Sequence, residues 1–527
     1  MSTMDRFQQL SEAPTNPQTE SARRQFDVAD LYQGPATAAA EETAAGVELD
    51  EKLRQAYFWI TNHAIISPYY DIEYNEAPPP TYRFGDRKVE VTLPSAQSYS
   101  SYVLLPLLNL VTRRRCLLVG GPGRGKTAIA IIMGVLSGYS LREIRRSIQH
   151  GQPQMTIADL LGNPLPATLV SAGSMDEVKI AWRKWLGMRV KIIDEYNRIP
   201  TRTQSALLTV MADNYAEMYD QIFECPAAAW YLTANDEAGG GTYQVIEALR
   251  DRIDVVVQAL HFNTRFLNEL LLRVEEGFHP EEIVPEQIVF SGEELSRMEA
   301  AARRVRLPHD LRRRLEFFAG NFEFFEPAAR QIEYMTKDTV KLAGVEFSTL
   351  AQTETGKDAT IDLGRQTLNG LSVRALITSL VFVKAMAWFR GATEVSFEDV
   401  RMILPFVLYD KLVQNADAPF FEQEGHAAYR SDRVNWLRML FDRSCQEFER
   451  LNLDKEDALD PLDAQFEAGL EGVDEKEVRH RLTAIERTLY QWSQGRKLYG
   501  HMFDDILKLK YYHQRYTNFR RWLQWKK

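Results

Sequence analysis

Short apolar runs alternate with helical patterns through the middle of the chain. Each apolar run has the length and composition of a buried strand. The strand-like runs are CLLVG (116–120), RVKIIDEYN (189–197), AAWYLTAN (228–235) and IDVVVQAL (253–260), and the helical runs include AIAIIMGVLSG (128–138) and TYQVIEALRDR (242–252). This alternation predicts an α/β fold with a mainly parallel sheet, whose ligand lies at the carboxyl ends of the strands.

Helical patterns dominate on both sides of this region. A helix is predicted at 51–65, and NEAPPPTYRFGD (75–86) is predicted to be a loop because proline continues neither a helix nor a central strand. TRFLNELLLRVEEG (264–277) and HDLRRRLEFFAGNF (309–322) predict further helices, whereas residues 326–369 form an insertion rich in Thr, Gly and Asp.

Beyond residue 410 the chain is predicted to stay helical. Apolar side chains recur there at alternating four- and three-residue steps, which indicates a short coiled-coil-like seam. They are Val478, Leu482, Ile485, Leu489 and Trp492. The acidic residues 453–477 are predicted to form an exposed connection between this helix and the preceding one.

Residues 508–527 are basic and aromatic in an otherwise acidic chain. We favour an amphipathic helix whose rings dock on the domain or on a partner protein while its cations stay solvated. The alternative is a nucleic-acid site, where bases stack on aromatic rings and arginines contact phosphates. The side chains concerned are Tyr511, Tyr512, Tyr516 and Trp522, with Arg515, Arg520 and Arg521.

Composition narrows the class of protein. The 527 residues suggest about two to four domains, and 45% hydrophobic with 26% charged residues is typical of a globular chain. The net charge of −10 argues against a protein that wraps a polyanion as a whole. Cys116, Cys225 and Cys445 lie far apart, which indicates neither a disulfide framework nor a zinc site.

The N-terminal residues and the longest apolar run bear on location. Residues 1–50 have the composition of a disordered tail and show no secretory signal. Within them, QFDVADLYQ (25–33) is a linker, the interpretation we favour, or a docking peptide. LITSLVFVKAMAWF (376–389) is too short to span a bilayer and contains Lys384. A cytoplasmic protein without a membrane span is therefore expected.

The strongest pattern follows the first predicted strand. GGPGRGKT (120–127) completes the G-x-x-x-x-G-K-T pattern between a strand and a helix. Its glycines let backbone N–H groups face phosphate oxygens, and the helix N-terminus adds its dipole. Lys126 is predicted to bridge the β- and γ-phosphates of ATP, and Thr127 to bind Mg²⁺. The predicted nucleotide-binding residues are Gly120, Gly121, Pro122, Gly123, Arg124, Gly125, Lys126, Thr127 and Ala128.

Polar residues also end the next two strand-like runs. Side chains alternate along a strand, so the adjacent Asp194 and Glu195 are free to take different roles. Asp194 is predicted to hold Mg²⁺, and Glu195 to activate the attacking water as general base. Asn235 is predicted to orient that water, although by itself an ordinary turn asparagine is the better interpretation.

Five segments resemble the MoxR family of AAA+ ATPases. They are GGPGRGKT (120–127), KIIDEYNRIPTRTQSALLTVMAD (191–213), LTAN (232–235), GGGTYQVIEALRDRID (239–254) and GLSVRALITSLVFVKAMAWFRG (370–391). The resemblance covers about residues 96–410 and implies a five-stranded αβα P-loop sandwich followed by an all-α lid. It also implies homo-oligomeric rings, usually hexamers, with each ATP between two subunits, and a partner protein with a von Willebrand factor A domain.

The resemblance gives a role to one of two arginines before the last predicted strand. It identifies Arg252 with the finger that reaches the γ-phosphate in a neighbouring subunit and stabilises charge in the transition state. Arg250 stands where the family has an apolar residue, and Ile253 where it has Phe, so Arg250 stays an alternative finger. A third interpretation is structural, with both arginines pairing with Asp251 and Asp254 on a helix surface.

A further arginine matches the family's lid. Arg374, in LSVRA (371–375), resembles the sensor 2 arginine, which contacts the nucleotide of its own subunit. Ser372 is predicted to cap the lid helix, which would place Arg374 in the first helical turn. A surface ion pair is the alternative role for Arg374.

Two segments inside the core are predicted to project from it. The family carries an insert that matches residues 149–188, where a loop or hairpin is predicted at 162–174 between two helices. Substrate gripping and a passive surface excursion both stay open for it. NYAEMYDQIFECP (214–226) predicts a second hairpin.

These patterns divide the chain into five parts: a disordered tail (1–50), an N-terminal helical and loop segment (51–95), an AAA+ core (96–262), a lid (263–410) and a helical extension (411–527). Three functional classes stay open. We favour an ATPase that remodels or matures a protein substrate. The others are a nucleic-acid-dependent motor or loader of the same class, and a scaffold whose assembly ATP controls. The scaffold is the weakest of the three hypotheses, because it does not require Glu195, Asn235 and the candidate finger arginines that the sequence contains.

Overall fold

The computed structural model describes residues 48–74, 79–85, 89–93, 97–171, 178–235, 247–259, 261–347, 350, 362–455, 457, 459–494, 498 and 500–526. Several of the predictions above fall on other residues in whole or in part. Outside the described ranges lie the tail up to residue 47 (with the segment 25–33), residues 75–78 and 86 of the predicted loop, 172–174 of the predicted hairpin, 239–246 before the two arginines, 348–349 and 351–361 of the insertion, and 456 and 458 of the acidic connection.

The strands are numbered in chain order. They are β1 (Ile72–Tyr74), β2 (Thr81–Phe84), β3 (Val89–Thr92), β4 (Gln97–Tyr99), β5 (Arg115–Val119), β6 (Gln149–His150), β7 (Gly162–Pro164), β8 (Ile180–Trp182), β9 (Val190–Asp194), β10 (Tyr215–Met218), β11 (Gln221–Glu224), β12 (Ala229–Ala234) and β13 (Val255–Gln258).

The α-helices are numbered in the same way. They are α1 (Leu49–Trp59), α2 (Ser101–Thr112), α3 (Lys126–Leu136), α4 (Leu141–Ser147), α5 (Ile157–Leu161), α6 (Pro166–Ser171), α7 (Thr201–Asp213), α8 (Glu247–Arg252), α9 (Leu267–Glu275), α10 (Gly292–Arg304), α11 (His309–Glu323), α12 (Lys337–Leu342), α13 (Val373–Phe389), α14 (Phe397–Leu408), α15 (Arg433–Arg450), α16 (Asp460–Glu467), α17 (Glu475–Ser493) and α18 (Gly500–Lys526).

The central sheet has five parallel strands in the order β13–β5–β12–β9–β6. Side chains alternate along each strand, so the sheet has an apolar cluster on either face. On β12, Tyr231 packs with α2 and α3 on one face, whereas Trp230 and Leu232 pack with α7 on the other. The prediction of a parallel αβα core is confirmed. Its carboxyl ends place the residues after β5, β9 and β12 at one edge.

The N-terminal segment differs from the prediction. The predicted helix is present as α1, which continues as one π-helical turn (Ile60–Ala64). The loop predicted over residues 75–86 is wrong for β2, which begins directly after Pro80 and pairs antiparallel with β3. A two-stranded ribbon has no central strand, and a proline before its first residue removes no ladder hydrogen bond.

Both predicted projections contain antiparallel strands. β10 and β11 form the second hairpin as predicted. In the insert, β7 pairs with β8, and helix α6 lies between them in sequence. An antiparallel pair is therefore present, but the prediction is wrong in its bounds: a helix lies between the two strands, and β8 lies beyond 162–174, where a second flanking helix was predicted.

The lid region is helical, as predicted. Helices α9 and α11 occupy the two segments that showed helical periodicity, and α13 packs against α14 and α10. Part of the predicted insertion at 326–369 folds as the short helix α12. Among the described residues, no helix combines the length and the apolarity that a bilayer crossing requires.

The C-terminal helices form their own apolar cluster. The predicted seam on α17 is confirmed, with Val478 and Ile485 fully buried against α18. The prediction that residues 453–477 form an exposed connection is wrong in part, because α16 forms within them. The ring of Phe466 stacks on that of Tyr512, with 4.0 Å between the ring centroids. An acidic helix forms here since its few apolar residues share one face. Tyr512 and Tyr516 are buried, so the basic segment docks through them, and neither ring is available to stack on a base.

This cluster also holds a carboxyl group whose ionisation opposes folding. Burial, followed by the negative charges of Asp457 and Asp504, raises the pKa of Asp505 to about 7, and Asp463 adds to the rise while Lys508 opposes it. Because the pKa is higher in the folded than in the unfolded chain, folding takes up a proton. The stability contributed by this group is complete below about pH 4 and is lost as the pH rises to about 7.

We therefore expect Asp505→Asn to raise the melting temperature of the whole chain more at pH 8 than at pH 5. The amide cannot ionise, so it avoids the cost that the carboxylate meets at high pH. Thermal unfolding of both proteins at the two pH values measures this difference. Asp213→Asn, which changes an exposed carboxylate, is the matched control. An equal gain for Asp505→Asn at both pH values would contradict the assignment.

Candidate functional site

The loop between β5 and α3 has a backbone that only glycine adopts easily. Gly120, Gly123 and Gly125 have φ values of 147°, 71° and 75°, in the region that side chains disfavour. A Cβ on Gly120 would also lie 2.6 Å from the carbonyl oxygen of Ala259. Strand, loop and helix therefore follow the predicted order, and the loop leads directly into the N-terminus of α3, a position that suits an anion.

Lys126 is the first residue of α3 and lies beneath this loop. It is 7% exposed. Its Nζ donates to the carbonyl oxygens of Gly120 (2.6 Å) and Gly121 (2.8 Å) and to Oδ1 of Asn235 (2.9 Å). The ammonium group is thus held at the carboxyl edge of the sheet, between the loop and the end of β12. From this position it can contact phosphate groups bound in the loop.

Asp194 joins three elements at the sheet edge. Its Oδ1 accepts hydrogen bonds from Thr127 (2.9 Å) and Thr233 (2.7 Å), and its Oδ2 lies 3.2 Å from Nδ1 of His150. Thr127 and Asp194 supply oxygen donors, which Mg²⁺ prefers. Within the described part of the chain, no three His, Cys, Asp or Glu residues gather around a metal position. Mg²⁺ is usually held by one or two protein groups together with phosphates and water, and Thr127 and Asp194 supply two such groups.

Glu195 has different neighbours from Asp194. It follows β9 with a left-handed φ of 53°, and its N–H donates to Oγ1 of Thr233 at 2.9 Å. Oε1 accepts from Nδ2 of Asn235 at 2.5 Å, and Oε2 lies 3.1 Å from Nε of Arg198. The carboxylate is therefore oriented by an amide and a guanidinium group. Asn235 contacts both Lys126 and Glu195, so the three polar groups form one connected set.

A cavity of about 810 Å³ opens beside the loop. Its lining is mostly apolar. It comes from the loop and α3, the end of the π-helical turn and the chain that follows it (64–71), the start of α2, and the residues that precede, form and follow α9. Ile66, Ile132, Phe262, Leu270 and Val274 contribute apolar surface. The planar base of a nucleotide whose phosphates lie in the loop would have an apolar surface to pack against here.

The two arginines of α8 lie outside this set. Arg250 is exposed, with Nη2 3.9 Å from Oδ1 of Asp410. Nη1 of Arg252 donates to the carbonyl oxygen of Ala248 in its own helix. Within the described residues, Arg252 has no ion pair, and neither arginine contacts Lys126, Thr127, Asp194, Glu195 or Asn235.

The pairing of these arginines with Asp251 and Asp254 is wrong. Asp254 is fully buried, and it accepts from Nη1 of Arg115 (3.0 Å) and Oγ1 of Thr378 (2.7 Å). Asp251 pairs with Arg374 of the lid. Buried carboxylates take partners that the tertiary fold brings to them, so adjacency in sequence did not decide these contacts.

The start of the lid helix α13 is as predicted. The hydroxyl of Ser372 accepts the N–H of Ala375, which makes Ser372 the N-cap and places Arg374 in the first turn. The predicted contact of Arg374 with nucleotide stays a prediction. In the structure its guanidinium pairs with Asp251, so the alternative of an ion pair describes the observed contact.

Sequence reasoning missed several residues of the site. Thr233 links Asp194 to the backbone of Glu195, His150 contacts Asp194, and Arg198 contacts Glu195. Thr233 lies on β12 two positions before Asn235, which directly follows the strand, and since side chains alternate along a strand this spacing was a usable signal. His150 had no such signal, because it comes from a two-residue strand.

Two family models match the chain. Residues 115–255 match the ATPase family associated with various cellular activities (AAA), and residues 365–428 match the AAA lid domain. The first match begins at β5, which leads into the glycine-rich loop at 120–125 (the phosphate loop), and ends at the first residue of β13. It includes Asp194 and Asn235. The second begins before α13 and includes Arg374.

Individual proteins are also similar to this chain. Chaperone MoxR1 of Mycobacterium tuberculosis (strain ATCC 25618 / H37Rv) is 25% identical over 316 residues, which cover 59% of this chain and 71% of the relative. A crystal structure of a proposed ATPase from Cytophaga hutchinsonii is 18% identical, with a TM-score of 0.44 over 64% of this chain and 89% of that one. With the AAA core, the AAA lid and the sequence match to MoxR1, the chain is a MoxR-like AAA+ ATPase.

Proposed function

We propose that the chain forms a homo-oligomeric ring, most simply a hexamer, that uses ATP hydrolysis to remodel or mature protein targets. The position of α8 carries the ring proposal. Arg250 and Arg252 contact none of the polar groups at the sheet edge of their own subunit. A finger arginine that serves a neighbour has this placement, because its substrate lies in another subunit's pocket.

In the proposed reaction, each group at the sheet edge has one task. The loop N–H groups and Lys126 bind and orient the phosphates, and Thr127 and Asp194 would hold Mg²⁺, which neutralises phosphate charge. Glu195 takes a proton from the attacking water, and Asn235, which the 2.5 Å hydrogen bond holds beside Glu195, orients that water. Arg252 of a neighbouring subunit stabilises the charge that develops in the transition state.

The chaperone-like role is supported by the relative's name, Chaperone MoxR1. The family resemblance adds a partner with a von Willebrand factor A domain, which would recognise the target. On this proposal, ATP-dependent changes in the ring alter the conformation of a bound protein. On this proposal the ring acts in the cytoplasm and needs no membrane-spanning helix.

A trapping experiment tests assembly and target class together. We expect Glu195→Gln protein to form a hexamer in ATP and Mg²⁺, as measured by light scattering after size exclusion. Used as bait, it should retain a von Willebrand factor A domain protein in ATP, whereas Lys126→Ala protein should not. A chain that stays monomeric in ATP would contradict the ring. Retention of nucleic acid without protein would favour the motor or loader.

The motor or loader class has one feature in its favour. Helix α18 exposes the rings of Tyr511, Trp522 and Trp525 together with Arg515 and Arg521. Point substitutions test it better than removal of the segment, because Leu509, Tyr512 and Tyr516 of the same helix are buried.

We expect DNA or RNA to change the ATPase rate by less than about twofold, and Arg515→Ala/Arg521→Ala protein to behave in the same way. The two arginines are solvated cations on this interpretation, and such side chains contribute little to a folded domain. ATPase assays with and without single-stranded DNA and RNA measure the effect. Strong stimulation that disappears in the double variant would favour the nucleic-acid class.

A further inference from the structure

The short helix α8 is held from two sides. Leu249 and Ile253 are buried in the apolar cluster of the core, which fixes the helix against α7 and the sheet. Tyr409, which follows the lid helix α14, packs against the same cluster. The helix that carries Arg252 therefore lies at the junction between the core and the lid of its own chain.

Polar contacts from the residues that match the AAA lid domain (365–428) reach α8 and the residues after it. The guanidinium of Arg374 pairs with the carboxylate of Asp251, and Nζ of Lys411 donates to the Asp251 carbonyl oxygen at 2.5 Å. Thr378, one turn along α13 from Arg374, donates to Asp254 at 2.7 Å. Residue 251 thus receives one lid contact on its side chain and another on its backbone.

Asp251 directly precedes Arg252. Successive side chains on a helix point about 100° apart, so Asp251 faces the lid while Arg252 faces a different direction. Arg252 has only a hydrogen bond to its own helix among its described contacts. Its position is thus determined by where α8 lies, and the lid contacts of Asp251 help to determine that.

We propose that Asp251 is a positioning residue for the finger: through its ion pair with Arg374 it couples the lid of one subunit to the finger that this subunit presents to its neighbour. The inference rests on the proposed function, because it requires Arg252 to act in the adjacent pocket. Arg374 is the residue that the family resemblance places on the subunit's own nucleotide. One side chain would then report the state of the subunit's own pocket to the helix that serves the next.

The expected effect is modest because the pair is partly exposed. The side chains of Arg374 and Asp251 are 42% and 39% exposed. Exposed ion pairs contribute weakly, so loss of this pair should reduce finger function by about three- to fivefold, well short of the loss on removing the finger. The backbone contact of Lys411 and the buried Leu249 and Ile253 remain in an Asp251 variant, so α8 should stay folded.

Mixed rings separate the two roles of a subunit. Arg252→Ala subunits keep Glu195 and hydrolyse ATP only if a neighbour supplies a finger. Glu195→Gln subunits supply fingers but do not hydrolyse. We call the Glu195→Gln subunits donors and the Arg252→Ala subunits acceptors. The experiment measures the ATPase rate of mixtures in which Asp251→Asn is added to the donor alone or to the acceptor alone. Asp213→Asn, which changes an exposed carboxylate elsewhere in the core, is the matched control.

We expect Asp251→Asn to lower hydrolysis about three- to fivefold in the donor and by less than twofold in the acceptor. Asp251→Glu in the donor should restore most of the rate, because it keeps the carboxylate. Equal rates with the donor that carries Asp251→Asn and the donor that keeps Asp251 would overturn the inference and leave the ring proposal intact. An equal loss in donor and acceptor would also overturn it, since it would show general destabilisation. If Glu195→Gln donors that keep Asp251 do not restore ATP hydrolysis, the proposal that Arg252 acts in the pocket of the adjacent subunit itself fails.

Discussion

Lys126→Ala should weaken ATP binding by about 100-fold or more, whereas Glu195→Gln should bind ATP normally and lose about 10²- to 10⁴-fold in turnover. In the proposed reaction, Lys126 donates charge-assisted hydrogen bonds to phosphate, so its loss should act on binding. Glu195 is proposed to act on water, so an amide that cannot take a proton should leave binding intact. Fluorescent-nucleotide titration and a phosphate-release assay measure the two effects separately.

The hydrogen bond between Glu195 and Asn235 supplies a useful comparison. Gln at position 195 keeps an oxygen that can accept from Nδ2 of Asn235. The pair that it loses with Arg198 is partly exposed and contributes little, so Glu195→Gln should preserve the local structure. Melting temperatures near that of the unsubstituted protein would exclude unfolding as the cause of lost turnover. Loss of ATP binding in both variants to the same extent would show that Glu195 is assigned wrongly.

Arg252→Ala subunits should bind ATP normally and be about 10³- to 10⁵-fold less active as a pure population. Their own Glu195 is intact, so mixing them with Glu195→Gln subunits should restore hydrolysis. Productive pockets form wherever an intact Glu195 meets a neighbour's intact Arg252. ATPase assays on each variant alone and on a series of mixing ratios measure this complementation.

Arg250 provides the matched comparison on the same helix. It is exposed, and its nitrogen lies 3.9 Å from Asp410, a separation at which an exposed pair contributes little. Arg250→Ala should therefore lower turnover by less than about tenfold. If Arg250→Ala is inactive and complemented while Arg252→Ala is active, the assignment of the two arginines is reversed. Activity of Arg252→Ala alone would exclude it as the finger.

The phosphate loop and the acidic pair were predictable because their geometry is local. Gly120, Gly123 and Gly125 adopt backbone angles that few other residues tolerate. Asp194 and Glu195 are adjacent at the end of a strand, so the sequence alone places them together at the carboxyl edge of the sheet. The alternation of apolar runs and helices likewise predicted the parallel core, since strand burial and helix periodicity are read within single segments.

The sequence was less informative where the pattern was weak or mixed. The strand that begins after Pro80 was not predicted, because prolines argue against strands in general. They are nevertheless tolerated at the start of a strand. The acidic composition of residues 453–477 likewise hid α16, whose buried Leu462 and stacked Phe466 depend on the presence of α18. A few apolar residues fold a polar segment only when another element supplies their packing surface.

By itself, the sequence determined which groups the candidate site contains: a glycine-rich loop, two adjacent carboxylates at a strand end, and two arginines near the last strand. Only the tertiary structure decided which groups meet. Several carboxylates are chemically suitable partners for Arg250, Arg252 or Arg374, and each arginine is attracted to each of these carboxylates with similar strength. The fold selects among them by distance, burying Asp254 with Arg115 and placing Asp251 beside Arg374, because strands and helices far apart in the chain bring these side chains together.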